Sequence, residues 1–577
     1  MTQTARELDD GFAAAKTPAL DKIDMVTTGT FGSMSGTPAV FFMPVASTCA
    51  FERGDRARPN GVQASPCPPG TIRRCLTDRG FCIDSRTCVR VSPDGAFVGD
   101  LGAVTPDDLT IPIPLHQSEP ALEEALCARL RDRVHPGGLL PGRTDRHAPT
   151  TDNYVLRCPV CGEVHEDRYT LGCPAGHRGL LRTEYPTRRL SPGPAPGIFR
   201  FLQWLPVQRP LPTYGGPVSY RATTLGRALD LDDLTIVFTG FWPEREAGAR
   251  TCSFKELEAW PTAARFFERA APAGGRAILV ASAGNTARAF AEVSARTGLP
   301  VVIVVPVRAL PRLWTTAEAR DVLTVAVDGD YADAIAAASS LSGIPGLVPE
   351  GGAANVARRD GMGTAFLCGT LVRGRIPDVY VQAVGSGTGA IAAWEASIRL
   401  IGDGRFGHRL PRLLLAQNLP FVPLAAAWQA GWREIDPARD MPDAEAAIRS
   451  ISAEVLANRE PPYALPGGLY DALTACGGGV AAITNREAEE AGRLFLEIEG
   501  IDLDPAAAVG LAALVRAARR GRVNRSVPVL FNATGGGYTR VGETLTLFPI
   551  GVDLTVKPGR LPDGVIAEVA AWVNSHA

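Results

Sequence analysis

Lysine is almost missing from this chain. Among 59 basic residues in 577, only Lys16, Lys22, Lys255 and Lys557 are lysines. With abundant Ala, Arg, Gly and Pro, this composition fits a GC-rich bacterial genome. A charge excess is missing too, since 61 acidic residues leave a net charge of -2. That removes the electrostatic case for nucleic acid or an anionic membrane surface as partner, and any anion site must be local. Apolar runs such as Val301–Val305 are far short of the roughly 20 residues that a membrane helix needs. The stretch Met1–Asp21 carries Glu7, Asp9, Asp10 and Lys16 and has no apolar signal core. The expectation is a cytoplasmic protein.

Cysteine is sparse only toward the C-terminus, where Cys252, Cys368 and Cys476 are the three in the last 400 residues. Cys49, Cys67, Cys75, Cys82, Cys88 and Cys127 precede residue 150, and Cys158, Cys161 and Cys173 lie close together. In a reducing compartment such clusters point to metal or redox chemistry rather than disulfides.

Four regions separate. Residues 1–135 are rich in Gly, Pro and Cys, with a helical stretch at Pro120–Val134. Residues 136–152 form a polar Gly/Pro linker. Residues 153–190 hold CPVCG and CPAGH between β-prone segments such as Tyr154–Leu156. From 191 to 577, apolar strands alternate with helices. Arg276–Ser282, Pro300–Pro306, Val322–Val327, Val379–Val384 and Leu413–Ala416 read as strands. Glu256–Phe267, Thr286–Thr297, Tyr331–Leu341 and Gly389–Leu400 read as helices. Continuous apolar strands alternating with helices predict an α/β fold whose parallel sheet is covered on both faces.

Three short motifs fall at the joints of that pattern. Thr251-Cys252-Ser253-Phe254-Lys255-Glu256 precedes a helix. Ser282-Ala283-Gly284-Asn285-Thr286 lies between strand and helix, where backbone donors and an amide can face a ligand or simply cap the helix. Gly385-Ser386-Gly387-Thr388-Gly389 also joins strand to helix, and its glycines let backbone N–H groups approach an anion at a helix N-terminus.

In this order the three resemble fold-type II pyridoxal-phosphate (PLP) enzymes of the threonine synthase branch, whose catalytic domain has two doubly wound subdomains. Asn355–Gly363, Pro505-Ala506-Ala507 and Thr534-Gly535-Gly536-Gly537 extend the resemblance. It implies that Lys255 carries PLP and moves the substrate's α-proton, and that Asn285 bonds the ring oxygen. It also implies that Gly385, Ser386, Gly387, Thr388 and Gly389 cradle the phosphate, and that Thr534 faces the ring nitrogen. A neutral partner at that nitrogen suits elimination and replacement chemistry. Ser282 and Thr286 are candidate substrate contacts. So are Arg221, Arg245, Arg358 and Arg359, because a guanidinium forks onto phosphate or sulfonate oxygens.

Finer strings resemble archaeal cysteate synthases. These are Cys158–Gly162, Tyr169-Thr170-Leu171, Cys173-Pro174, Gly179–Arg182, Phe199-Arg200-Phe201, Trp204–Val207 and Phe241–Arg245 ahead of Ser253–Ala259. That resemblance implies β-replacement of phosphate on O-phospho-L-serine by sulfite, giving L-cysteate for coenzyme M synthesis. Ammonia addition to sulfoacrylate or a related sulfonate β-elimination/replacement, a threonine synthase reaction and a non-catalytic PLP scaffold are the alternatives. A small anionic substrate and a homodimer are expected. The set Cys158, Cys161, Cys173 and His177 has zinc-ribbon-like spacing, read either as a structural zinc knuckle or as free thiols in a hairpin. Finally, Asp24–Thr37, with Asn60-Gly61-Val62 and Pro66-Cys67-Pro68, resembles the opening of the homocysteine-biosynthesis and methanogenesis-marker metalloprotein family.

Overall fold

The computed structural model describes residues 154–576 apart from position 214, together with four short strands between residues 80 and 112. Those strands (Gly80–Cys82, Cys88–Val91, Ala96–Asp100 and Ile111–Pro112) pair antiparallel in that order. The expected helix at 120–134, the linker and the Asp24–Thr37 segment lie outside the described residues.

Residues 149–577 group into one compact unit by their contacts. It is built on two sheets. The larger has the strand order Gly479–Ile483, Arg412–Asn418, Val379–Ala383, Val529–Ala533, Leu234–Phe238, Val218–Arg221. All its neighbours pair parallel except the edge strand Val218–Arg221, which is antiparallel. The smaller sheet runs Leu347–Pro349, Ala277–Ala281, Val301–Pro306, Val322–Val327, Leu554–Val556, parallel throughout.

The apolar runs are buried on both faces because successive side chains point to opposite sides. In the large sheet, Val237, Tyr380, Leu413, Leu415 and Leu530 enter one core, while Ile236, Phe238, Val379, Val381, Leu414, Val529 and Phe531 enter another with the helix Pro505–Arg519. In the small sheet, Ile278, Val280, Val301, Ile303 and Val305 join the first of these cores. Leu279, Val302, Val304, Leu323 and Val325 pack on the helices Tyr331–Leu341 and Asp563–Ser575. One core is therefore shared between the two sheets. Leu257, Trp260 and Ala263 of the helix Glu256–Arg265, Phe290 and Val293 of Asn285–Thr297, and Phe366 of Val356–Arg373 fill it. The expected α/β architecture with two doubly wound halves is what the chain adopts. The helix expected to reach Phe267 ends at Arg265, where the backbone widens into a π turn, Phe266–Ala270.

Three short strands, Val155–Arg157, Val164–His165 and Arg182–Glu184, form a small antiparallel sheet in the same unit. One of its anchors to the rest is ionic. Asp167, fully buried, is gripped by Nε and Nη2 of Arg265 at 2.7 and 2.6 Å.

Ile303 is the centre of the central small-sheet strand and is fully buried. Ile303→Ala is expected to cost about 2–5 kcal/mol, read as a lowered urea midpoint with an unchanged slope.

Candidate active site

Three glycine-bearing turns leave the C-terminal ends of parallel strands, where open α/β sheets place their ligands. Ser282–Thr286 follows Ala277–Ala281, Gly385–Gly389 follows Val379–Ala383, and Thr534 follows Val529–Ala533. The segment carrying Lys255 is stitched to all three. The Phe254 N–H donates to the Thr534 carbonyl at 2.9 Å, and Ser253 bridges Gly535. The Phe254 ring lies against Gly389, where an added methyl would come within 3.1 Å of it. Thr286 reaches the Lys255 helix through its hydroxyl, which donates to Glu258 Oε1 at 2.8 Å.

Glu258 was not among the residues expected from sequence, although it lies one helical turn beyond Lys255, where side chains share a face. Its carboxylate is fully buried. Oε2 stands 3.3 Å from the Lys255 amine and 3.1 Å from Arg358 Nε. Arg358 binds Glu350 as well, at 2.7 Å. Burial holds the Lys255 ammonium below its ordinary pKa; Glu258 opposes that shift and the Arg358 charge adds to it. Lowering of this kind prepares an amine to exist neutral and accept a proton. The neighbouring Glu256 is pushed up to about 7 by burial, against the Thr251 N–H that donates to it at 2.5 Å.

Asn285 opens its helix with Gly284 (φ +141°) before it. Arg288 donates to the Asn285 side-chain oxygen at 3.1 Å, which leaves the amide N–H2 end to donate elsewhere. The Ser282 hydroxyl accepts from Gly284 and Ala287 N–H groups at 3.0 and 3.1 Å, so it holds the turn. Ser386 and Thr388 hydroxyls pair at 2.8 Å across the phosphate-type loop. That loop is shaped for backbone approach. A methyl on Gly385 would meet the Leu456 carbonyl at 2.9 Å, and one on Gly389 the Gln382 amide at 2.5 Å. Gly387 (φ +78°) turns the chain into the helix Thr388–Asp403. A cradle that only glycine can line, a part-buried amine and an amide donor fit a phosphorylated aldehyde such as PLP.

The four sequence-nominated arginines separate. Arg221 is exposed and pairs with Asp233 at 3.4 Å, beside the opening residues of the strand Leu234–Phe238, away from the strand ends that bear the turns. Arg245 pairs with Glu499 at 4.0 Å and stacks on Tyr220 and Trp242. Arg359 is buried, bound to Glu395 at 3.0 Å and to the carbonyls of Ala353 and Leu181. Each of these three has an acidic partner within the fold. Arg358 does reach the Lys255 cluster, where Glu258 and Glu350 both bind it. A cavity beside Ala283 supplies arginines that sequence reasoning missed: Arg308, Arg312 and Arg459, with Tyr331. Arg312 pairs with Glu454 at 2.8 Å and Arg459 with Asp330 at 2.6 Å. These partners are far apart in sequence, so only the fold brings them together.

Cys158, Cys161, Cys173 and His177 converge, with their ligand atoms within 4.8 Å of one another. No helix among the described residues is long and apolar enough to cross a membrane.

Residues 220–535 match the model of the family described as "Pyridoxal-phosphate dependent enzyme". The cysteate synthase of Methanosphaerula palustris is 56% identical over 426 residues, covering 74% of this chain and 99% of its own length. That of Methanoregula boonei is 54% identical over 423 residues, with 73% and 99% covered, and that of Methanoculleus marisnigri 53% over 423, with 73% and 97% covered.

Glu256 is a buried carboxyl whose folded pKa lies above its ordinary 4.5. Its contribution is fully present below the unfolded value and is lost as pH rises through about 7. Glu256→Gln is therefore expected to leave stability unchanged near pH 4.5 and to raise it above pH 7, by at most about 3 kcal/mol. Melting temperatures across pH 4.5–8 check the sign.

Proposed function

The chain belongs to the cysteate synthase family of pyridoxal-phosphate dependent enzymes, and we propose that it forms L-cysteate from O-phospho-L-serine and sulfite, releasing phosphate. The observation that supports the substrate class is the cavity against Ala283 of the Ser282–Thr286 turn, where Arg308, Arg312 and Arg459 stand with Asp330, Glu454 and Glu460. Sulfite and a phosphate monoester are both small oxyanions suited to guanidinium forks.

PLP, when bound, acidifies the substrate α-proton and lets a β-substituent leave. The chain's own residues supply the rest. Lys255 holds the cofactor and moves the proton at the substrate Cα. Glu258 and Arg358 set the charge around its amine. The Gly385–Gly389 backbone, with Ser386 and Thr388, would hold the cofactor phosphate, Asn285 would serve the ring oxygen and Thr534 the ring nitrogen. Arg312 and Arg459 receive the β-phosphate and then sulfite. The C–O bond to phosphate breaks, and the sulfur lone pair forms the new C–S bond. A homodimer and a cytoplasmic setting belong to the same reading. Three thiolates and an imidazole at 158, 161, 173 and 177 suit a tetrahedral zinc-class ion.

Phosphate release and product mass test this reading with three mixtures. O-phosphoserine plus sulfite is expected to yield phosphate and L-cysteate; turnover of sulfoacrylate with ammonia alone, or of phosphohomoserine with water alone, would overturn it. Lys255→Ala is expected to lose the visible absorbance of bound cofactor. Arg312→Ala is expected to raise KM for O-phosphoserine by about tenfold or more, with a smaller change in kcat.

A further inference from the structure

The Cys/His knuckle is built as a metal site on its own backbone. Gly162 (φ +75°) follows Cys161, and its N–H donates to the Cys158 carbonyl at 3.0 Å. The Val160 N–H points at Cys158 Sγ, 3.4 Å away. The second turn repeats the device, with Gly176 (φ +79°) donating to the Cys173 carbonyl at 2.9 Å just before His177. Cys173 Sγ lies 3.9 Å from Cys161 Sγ and 3.5 Å from His177 Nδ1. Left-handed glycines and N–H···S bonds gather thiolates without using up their lone pairs.

The loop between Cys161 and Cys173 does something else. It carries Asp167, Tyr169, Thr170 and Leu171 into the catalytic unit. Asp167 accepts from Tyr154 at 2.6 Å and from Arg265, the last residue of the Lys255 helix. Arg265 also donates to the Thr170 carbonyl at 3.0 Å and to Asn355 at 2.9 Å, and it stacks on Tyr169. Asn355 in turn donates to the Glu350 carbonyl at 2.7 Å, and Glu350 holds Arg358 against Glu258. Leu171 fills the space beside Gly351. Tyr169 is forced to φ +62°, a conformation that non-glycine residues keep only when their surroundings impose it. The third knuckle strand is secured separately, through Thr183 and Tyr185 to Asp360. The strained loop is held by the pairing of Val164–His165 with Leu156–Arg157 at its start and by the knuckle at Cys161 and Cys173 at its two ends.

We propose that Cys158, Cys161, Cys173 and His177 hold a zinc-class divalent ion whose task is to brace the Lys255 helix through the Asp167–Arg265 pair. Asp167 and Arg265 are positioning residues, acting on Lys255 from the opposite end of its helix. This rests on the metal reading above and is separable from it, and it does not depend on which amino acid is the substrate.

Elemental analysis of the purified holoenzyme is expected to find one zinc-class ion per chain; none would overturn the metal reading and the brace with it. Extraction of the ion from wild-type holoenzyme is expected to speed amide hydrogen exchange across Glu256–Arg265 by about tenfold and to weaken cofactor retention in an absorbance titration. Unchanged exchange in ion-free protein would overturn the brace and leave the metal reading standing. Asp167→Asn is expected to keep the ion and reproduce the faster exchange; an ion-bearing Asp167→Asn with wild-type exchange would also overturn the brace. Should that variant fail to fold, the extraction on wild-type protein decides.

Discussion

A carboxylate taken out of water must be answered by donors or cations, and Glu258 is answered three times, by Lys255, Arg358 and the Thr286 hydroxyl. Each partner comes from a different helix, and two of those helices begin at turns that face the cofactor region. Removing the Glu258 carboxylate would leave the Lys255 amine beside the Arg358 guanidinium with Glu350 as the remaining carboxylate, a change that disturbs the charge balance of the site. The charge balance at this point fixes where the Lys255 amine can sit and how readily it gives up its proton, and so ties the packing of the shared core to the chemistry of the site.

The two halves meet around that balance in another sense. The ion pairs Arg312–Glu454 and Arg459–Asp330 run with opposite polarity between segments that follow the small sheet and segments that follow the large one. Arg312 and Arg459 therefore tie the two halves to each other through carboxylates that line the same cavity.

Much of the fold was legible because burial on both faces of a parallel sheet leaves uninterrupted apolar strands, and Val322–Val327 and Tyr331–Leu341 fall where the pattern placed them. The order of the glycine turns was legible for the same reason, since each must sit at a strand end. The arginines were not. Arg358 and Arg359 are neighbours in sequence, yet consecutive helical residues point about 100° apart. One therefore faces Glu258 and Glu350, and the other faces Glu395. Arg312 and Arg459 owe their roles to partners more than a hundred residues away, and no local spacing encodes that. Glu258 did leave a signal, three residues after Lys255, in a string valued only for its resemblance.

The scarcity of lysine gives the site a chemical privacy. Lys557 lies exposed, and between residues 23 and 556 Lys255 is the single side-chain amine. Aldehydes condense with amines wherever they meet them, and a chain that spends arginine on its surface offers few decoys. An aldehyde-bearing cofactor arriving at this protein therefore meets few side-chain amines, with Lys16, Lys22 and Lys557 as the lysines besides Lys255.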